Sequence, residues 1–193
     1  MQLRMKSADG LIFHCANMVL LFCQSSQLVS IPILGQEHGV RRKMHTYVLQ
    51  REQWLPRPIE GVFEFFSRPE NLQVITPPWL DFRMVATPQT LQAGSLIRYR
   101  LRWHALPIRW TTEISEWNPP HGFVDREVSG PYALWNHEHS FSAYEGGTTM
   151  RDRVTYALPF GILGWIAHKI LVKRDVERIF DYRSQTMQRL FPA

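Results

Sequence analysis

The run IAHKILVKRDVERIFDYRSQTMQRLF, from Ile166 to Phe191, decides how the rest of the chain is read. In it Ile166, Ile170, Val176, Ile179, Phe180, Met187, Leu190 and Phe191 recur mostly at steps of three and four, the apolar stripe of an amphipathic helix. Lys169, Lys173, Arg174, Asp175, Glu177, Arg178 and Asp181 fall mostly between them and are expected to face water. From Ile170 to Leu190 such a helix makes about five turns. A rod of that length cannot cover its own apolar side, so it requires a broad apolar surface beside it.

The residues upstream supply a sheet. From Leu80 the period changes to two. Phe82 and Met84 suggest a strand, and Leu96 to Trp103 alternates, with Ile97, Tyr99, Leu101 and Trp103 on one face and Arg98, Arg100 and Arg102 on the other. Ala105-Leu106-Pro107 reads as a turn into a strand from Ile108 to Trp117. Further strands are expected at Phe123–Ser129, Tyr132–Tyr144 and Thr148–Leu158, separated by Asn118-Pro119-Pro120-His121-Gly122, Gly130-Pro131 and Glu145-Gly146-Gly147. Connections this short join antiparallel neighbours, because parallel strands need long crossovers. Before the sheet, Thr46–Trp54 reads as a first strand. Pro58 and Pro69 then each open a short helix, the first carrying Ile59, Val62, Phe63, Phe65 and Phe66. The expected fold class is α+β: a curved antiparallel sheet of about seven strands wrapped around a long C-terminal helix, with two short helices after the first strand.

Charge narrows the function classes. The chain of 193 residues carries 22 basic and 17 acidic groups. Five of the basic groups, Arg4, Lys6, Arg41, Arg42 and Lys43, face only Asp9 and Glu37 within residues 1–43, which leaves 17 against 15 in the remainder. The main body lacks the electrostatic footprint of a nucleic-acid binder. Both cysteines, Cys15 and Cys23, also lie in residues 1–43, so the main domain has neither a disulfide framework nor a thiol nucleophile. Leu11–Cys23 is an apolar run behind Arg4 and Lys6. It is broken by His14 and Asn17, followed by no small-residue cleavage site, and too short to span a bilayer. Residues 1–43 are therefore read as an N-terminal extension outside the fold, with translation naturally starting at Met44, and residues 44–193 as one ligand-binding domain in the cytoplasm, with no stable membrane insertion. Export or membrane association through residues 1–23 is the alternative. Oligomeric state is not legible. No phosphate-loop, dinucleotide or serine-hydrolase pattern occurs.

Particular residues add a resemblance. Phe65-Phe66-Ser67, Asn71-Leu72 and Thr76-Pro77-Pro78-Trp79 are followed by Trp117-x-Pro119-Pro120 and Phe123-x-Asp125. Then come Gly130-Pro131, Trp135-x-His137-x-His139-x-Phe141, Gly146-Gly147-Thr148 and Asp152-x-Val154-x-Tyr156. With the order of elements, this pattern resembles the SRPBCC superfamily, also called START-like or Bet v 1-like, and is most similar to bacterial ligand-binding SRPBCC domains and polyketide cyclase-like proteins. The likeness covers Thr46 to Phe191. It implies a helix-grip fold with a hydrophobic cavity between sheet and long helix, and members that carry lipids, hormones or polyketides or catalyse cyclisation or dehydration. It names no ligand.

The strongest polar signal is His137 and His139, two apart on one strand and so on one face with Trp135 and Phe141. Alternation puts Asp152 with Val154 and Tyr156 on the next strand, within reach of an imidazole, and Asp125 with Phe123. Such a group can orient a ligand oxygen, move protons as a catalytic acid–base set made of His137, His139 and Asp152, or simply satisfy itself inside the sheet. His-x-His with a carboxylate is also a permissible set for zinc or iron. With no third histidine placed convincingly (His104 and His121 fall in turns), neither a metal nor any other cofactor is expected. Trp79, Trp103, Trp110 and Trp135, with Tyr99, Leu101, Phe123 and Tyr156, supply apolar walls. Trp103 and Trp110 flank the Pro107 turn, a natural cavity mouth. The arginine row is read as a solvated convex face partnered by Glu113, Glu116 and Glu127. The expected function is binding of a small hydrophobic or amphipathic molecule, with a cyclase or dehydratase and a lipid-transfer or protein-interaction module as alternatives.

Overall fold

The computed structural model describes residues 45–192; the expectations placed on residues 1–43 lie outside the described residues. Strand β1 (Thr46–Leu55) is followed by α1 (Ile59–Ser67), a single turn α2 (Asn71–Val74) and a 3-10 turn at Pro78–Leu80. The strands β2 (Arg83–Ala86), β3 (Leu96–Trp103), β4 (Leu106–Asn118), β5 (Gly122–Ser129), β6 (Leu134–Tyr144) and β7 (Gly147–Ala157) come next. One antiparallel sheet holds all seven in the order β1-β7-β6-β5-β4-β3-β2. The meander from β2 to β7 follows from its short turns, and β1 closes onto β7 to complete the order. The α+β helix-grip architecture expected from the residue pattern is present.

The β3–β4 hairpin turns one residue earlier than its proline suggests. His104 and Ala105 take positive φ, 47° and 68°, so they are the two central residues and Leu106 already belongs to β4. Neither is a glycine or asparagine, so the residue types mark the turn around Ala105 without fixing which two residues are central.

The C-terminal rod runs as α3 (Ile162–Ala167), a π turn at His168–Val172 and α4 (Lys173–Leu190). Its buried face is His168, Val172, Val176, Phe180, Thr186 and Met187. This corrects the apolar stripe: Ile166, Ile170 and Leu190 face outward, Ile170 at 62% exposure. The wide π turn rotates the face, and a histidine takes the inner position instead of an isoleucine. His168 tolerates burial because its Nε2 is hydrogen-bonded to the Tyr156 hydroxyl at 3.0 Å and its ring stacks on Tyr47 at 3.4 Å.

Two apolar clusters make the interior. One joins Val62, Phe63 and Phe66 of α1 to Ile114, Phe123, Phe141, Met150 and Met187. The other joins Leu49, Val154 and Tyr156 of the sheet to Val172, Val176 and Phe180 of the rod. The site lies at their seam. Among the described residues no helix is long and apolar enough to cross a membrane.

Candidate functional site

Strand register assembles the polar cluster. Asp125 of β5 stands opposite His137 of β6, and Asp152 of β7 stands opposite His139. All four side chains share the inner face, since residues two apart in a strand point the same way. The hydrogen bonds run diagonally: His137 Nε2 to Asp152 Oδ1 at 2.8 Å, and His139 Nε2 to Asp125 Oδ2 at 3.1 Å. The two remaining edges are contacts only. His137 Nδ1 lies 3.4 Å from Asp125 Oδ2, and His139 Nδ1 lies 2.9 Å from Asp152 Oδ1 but without a hydrogen-bond partner in line. The imidazoles are 3.8 Å apart, centroid to centroid. His139 stacks on Phe123 at 4.2 Å in one apolar cluster, and His137 meets Phe180 edge-on at 5.3 Å in the other.

Burial sets the proton distribution. It opposes charge on every member, and for three of them the partners win. Burial alone raises Asp152, but the His137 hydrogen bond and the close His139 ring outweigh it and hold the carboxyl well below the usual carboxylate range. Asp125 behaves likewise, lowered by the charge of His137 and its bond to His139. His139 is raised above the ordinary imidazole value, because two carboxylates overcome its burial. His137 is lowered, since burial and the neighbouring His139 charge prevail over Asp125 and Asp152. The two imidazoles are thus driven apart, His139 toward its charged form between the two carboxylates and His137 toward its neutral one.

The cluster borders a small recess of about 10 Å³, room for roughly one water, between β1, β7 and α4. Asp152 lines it together with Arg51, Glu52 and Gln53 of β1, Met150 of β7, and Phe180, Arg183, Ser184 and Met187 of α4. His137 and His139 are absent from its wall and stand behind Asp152. Arg183 lies over the Phe180 ring, 5.0 Å from its centroid, and its buried Nε has no hydrogen-bond partner among the described residues. Hydropathy patterning does not single out Arg183. Its signal was position: three residues after Phe180 and four before Met187, a cation on the buried face of the helix.

The apolar residues expected to wall an open cavity pack largely on one another. Trp110 stacks on Tyr99 at 5.9 Å and meets Trp135 edge-on at 5.4 Å. Trp135 and Tyr156 both touch Tyr132, at 4.8 and 5.8 Å. Leu101 is partly buried on the same face of β3. Trp103 donates its Nε1 hydrogen to Asp175 Oδ2 at 2.7 Å, tying the expected mouth to the start of α4. Trp79 stays apart, half exposed against Tyr182 and Arg178. Phe123, Asp125, His137, His139 and Asp152 come together; the tryptophans form a neighbouring aromatic layer.

Glu127 departs from its expected place beside the arginine row. It is half-buried, accepts the Tyr132 backbone N–H at 3.1 Å, and burial pushes its carboxyl up to about 7. Arg126 takes Glu113 instead, at 2.8 Å, and Arg102 pairs with Asp81 at 3.5 Å.

No family model matches the chain, and no curated protein matches it. Solved structures do share its fold. The ginseng major latex-like protein 151 from Panax ginseng superposes with a TM-score of 0.58 at 10% identity, covering 77% of this chain and 99% of that one. Ara h 8.0201 gives 0.54 at 14% identity over 74% and 98%. Protein CV1439 from Chromobacterium violaceum gives 0.59 at 12% identity over 76% and 97%. The chain has the Bet v 1-like helix-grip fold.

Proposed function

We propose that the chain binds a small amphipathic molecule between β1, β7 and α4, its polar end at Asp152 and Arg183 and its apolar part against Met150, Phe180 and Met187. The observation that carries this reading is the unpartnered Nε of Arg183 in a recess that it shares with the buried carboxylate of Asp152, with Met150, Phe180 and Met187 as its apolar wall and Arg51, Glu52, Gln53 and Ser184 as its polar one. A buried donor without a partner is costly, and a ligand acceptor relieves it. Anything larger than one water must displace side chains, and the wall offers movable ones: two methionines and a long arginine. A cyclase or dehydratase would need an imidazole open to substrate. Both imidazoles are turned to carboxylates behind the recess, so binding is the better-supported reading.

Native mass spectrometry of gently purified protein tests it. A co-purifying organic molecule is expected, and its mass gives its class. Arg183→Met should weaken its binding about tenfold or more, the loss of a charge-assisted hydrogen bond. Wild-type protein free of any organic ligand, and taking up none from a lipid or polyketide-like panel, would sink the proposal.

A further inference from the structure

The geometry points to a binding site for a divalent first-row transition ion of the zinc class, formed by Asp125 Oδ2, His137 Nδ1 and His139 Nε2, with Asp152 behind both rings, bonded to His137 and in contact with His139. This goes beyond the ligand-binding reading and does not depend on it. Zinc takes nitrogen and carboxylate oxygen at about 2.0–2.2 Å in tetrahedral geometry, which sets neighbouring donors roughly 3.3–3.5 Å apart. Asp125 Oδ2 is 3.4 Å from His137 Nδ1 and 3.1 Å from His139 Nε2, and the three donor atoms all lie within 4.8 Å of one another. A contact of 3.4 Å is long for a hydrogen bond and right for two ligands sharing an ion.

The second observation is what lies behind the rings. His137 Nε2 and His139 Nδ1, the nitrogens turned away from Asp125, both face Asp152 Oδ1, at 2.8 and 2.9 Å. Metal-ligating histidines characteristically pass their other N–H to a carboxylate, which fixes tautomer and ring orientation. His139 Nδ1 is buried with no partner on its bonding line. An ion at Nε2 places the ring proton on Nδ1, beside Asp152. Two carboxylates neutralise a dication, and two neutral imidazoles complete a set that leaves one of four positions open. Arg183 acts in the other direction, since its charge reaches Asp125. The carboxylate of the His-x-His set is Asp125, brought in by the β5–β6 register, and no third histidine is needed.

The test uses the full chain, stripped with chelator and then titrated with zinc by calorimetry and with cobalt(II) by visible absorption. One ion per chain is expected, with the intense bands of tetrahedral cobalt and a zinc-dependent rise in Tm. Asp125→Asn and His139→Ala should abolish binding, while Asp152→Asn should keep the stoichiometry and weaken affinity about 10–100-fold. Arg183→Met should tighten metal binding several-fold while weakening the organic ligand, which separates the two proposals. Circular dichroism of each variant shows whether it folds, and the near-isosteric Asp125→Asn carries the test if His139→Ala does not. No zinc uptake by folded wild-type protein at sub-millimolar concentration overturns the site, as does uptake unchanged in Asp125→Asn.

Discussion

Asp152 stands directly across the β6–β7 ladder from His139, yet it accepts its hydrogen bond diagonally, from His137 Nε2 at 2.8 Å. One carboxylate therefore serves two imidazoles whose proton affinities are shifted in opposite directions. Its removal strips the His137 bond and leaves the His139 ring with Asp125 alone. Asp152→Ala should cost about 3–5 kcal/mol, as breaking a buried ion pair does. Urea unfolding of metal-free protein measures it, and a loss below about 1 kcal/mol would mean that the cluster is far better solvated than its burial implies.

Among the carboxyls, the pH dependence has opposed contributions. Asp125 and Asp152 are held below their unfolded values, so their contribution is present above about pH 4 and drains away as pH falls through the folded values. Glu127 is raised to about 7, so its contribution is complete below its unfolded value and lost as pH rises through 7. Glu127→Gln should flatten that second slope. The difference between wild type and variant should change by about 1–2 kcal/mol from pH 5 to pH 8, discounted for partial exposure. Denaturant midpoints across that range decide it, and parallel curves for the two proteins would contradict it.

The rotated face of the C-terminal rod separates two substitutions of similar chemistry. Met187 is fully buried between α4 and the sheet, so Met187→Ala should lose about 2–5 kcal/mol. Ile170 points to solvent, so Ile170→Ala should stay within about 0.5 kcal/mol. Thermal melts of the pair check the π turn directly, because an unbroken apolar stripe through Ile170 predicts a substantial loss at both positions.

Gly122 protects the site's backbone. A Cβ built there would meet the His139 carbonyl oxygen at 2.2 Å, a collision with main chain. Gly122→Ala should push β5 away from β6 at the residue that carries His139. A drop of several degrees in Tm and a changed near-ultraviolet spectrum from the stacked Phe123 are expected, whereas Gly61→Ala, open on its Cβ side within a helix, should be neutral or slightly stabilising.

Much of the fold was legible because binary patterning and turn residues agree with each other. The alternation at Ile97, Tyr99, Leu101 and Trp103, the Gly146-Gly147 hairpin and the prolines around α1 each point to one local structure. The cluster was half legible. Period-two alternation puts His137 with His139 and Asp125 with Phe123 inside single strands, but the diagonal pairing depends on register across three strands, which side-chain type does not reveal. His168 and Arg183 were missed for a different reason. Hydropathy assigns such residues to the surface, and only a partner such as the Tyr156 hydroxyl, or a recess waiting for an acceptor, makes their burial tolerable.

The strand order also decides which part of the molecule opens last. β5, β6 and β7 lie inside the sheet, flanked by β1 on one side and by β4, β3 and β2 on the other. Fraying from the β2 edge must unzip three strands before it reaches β5. Amide protons around His137 and His139 should thus exchange with deuterium only through global unfolding, while those of β2 exchange early. On the β2 side the four-residue centre is thereby kept apart from the breathing of the molecule, whereas on the other side β1 alone separates Asp152 from the sheet edge.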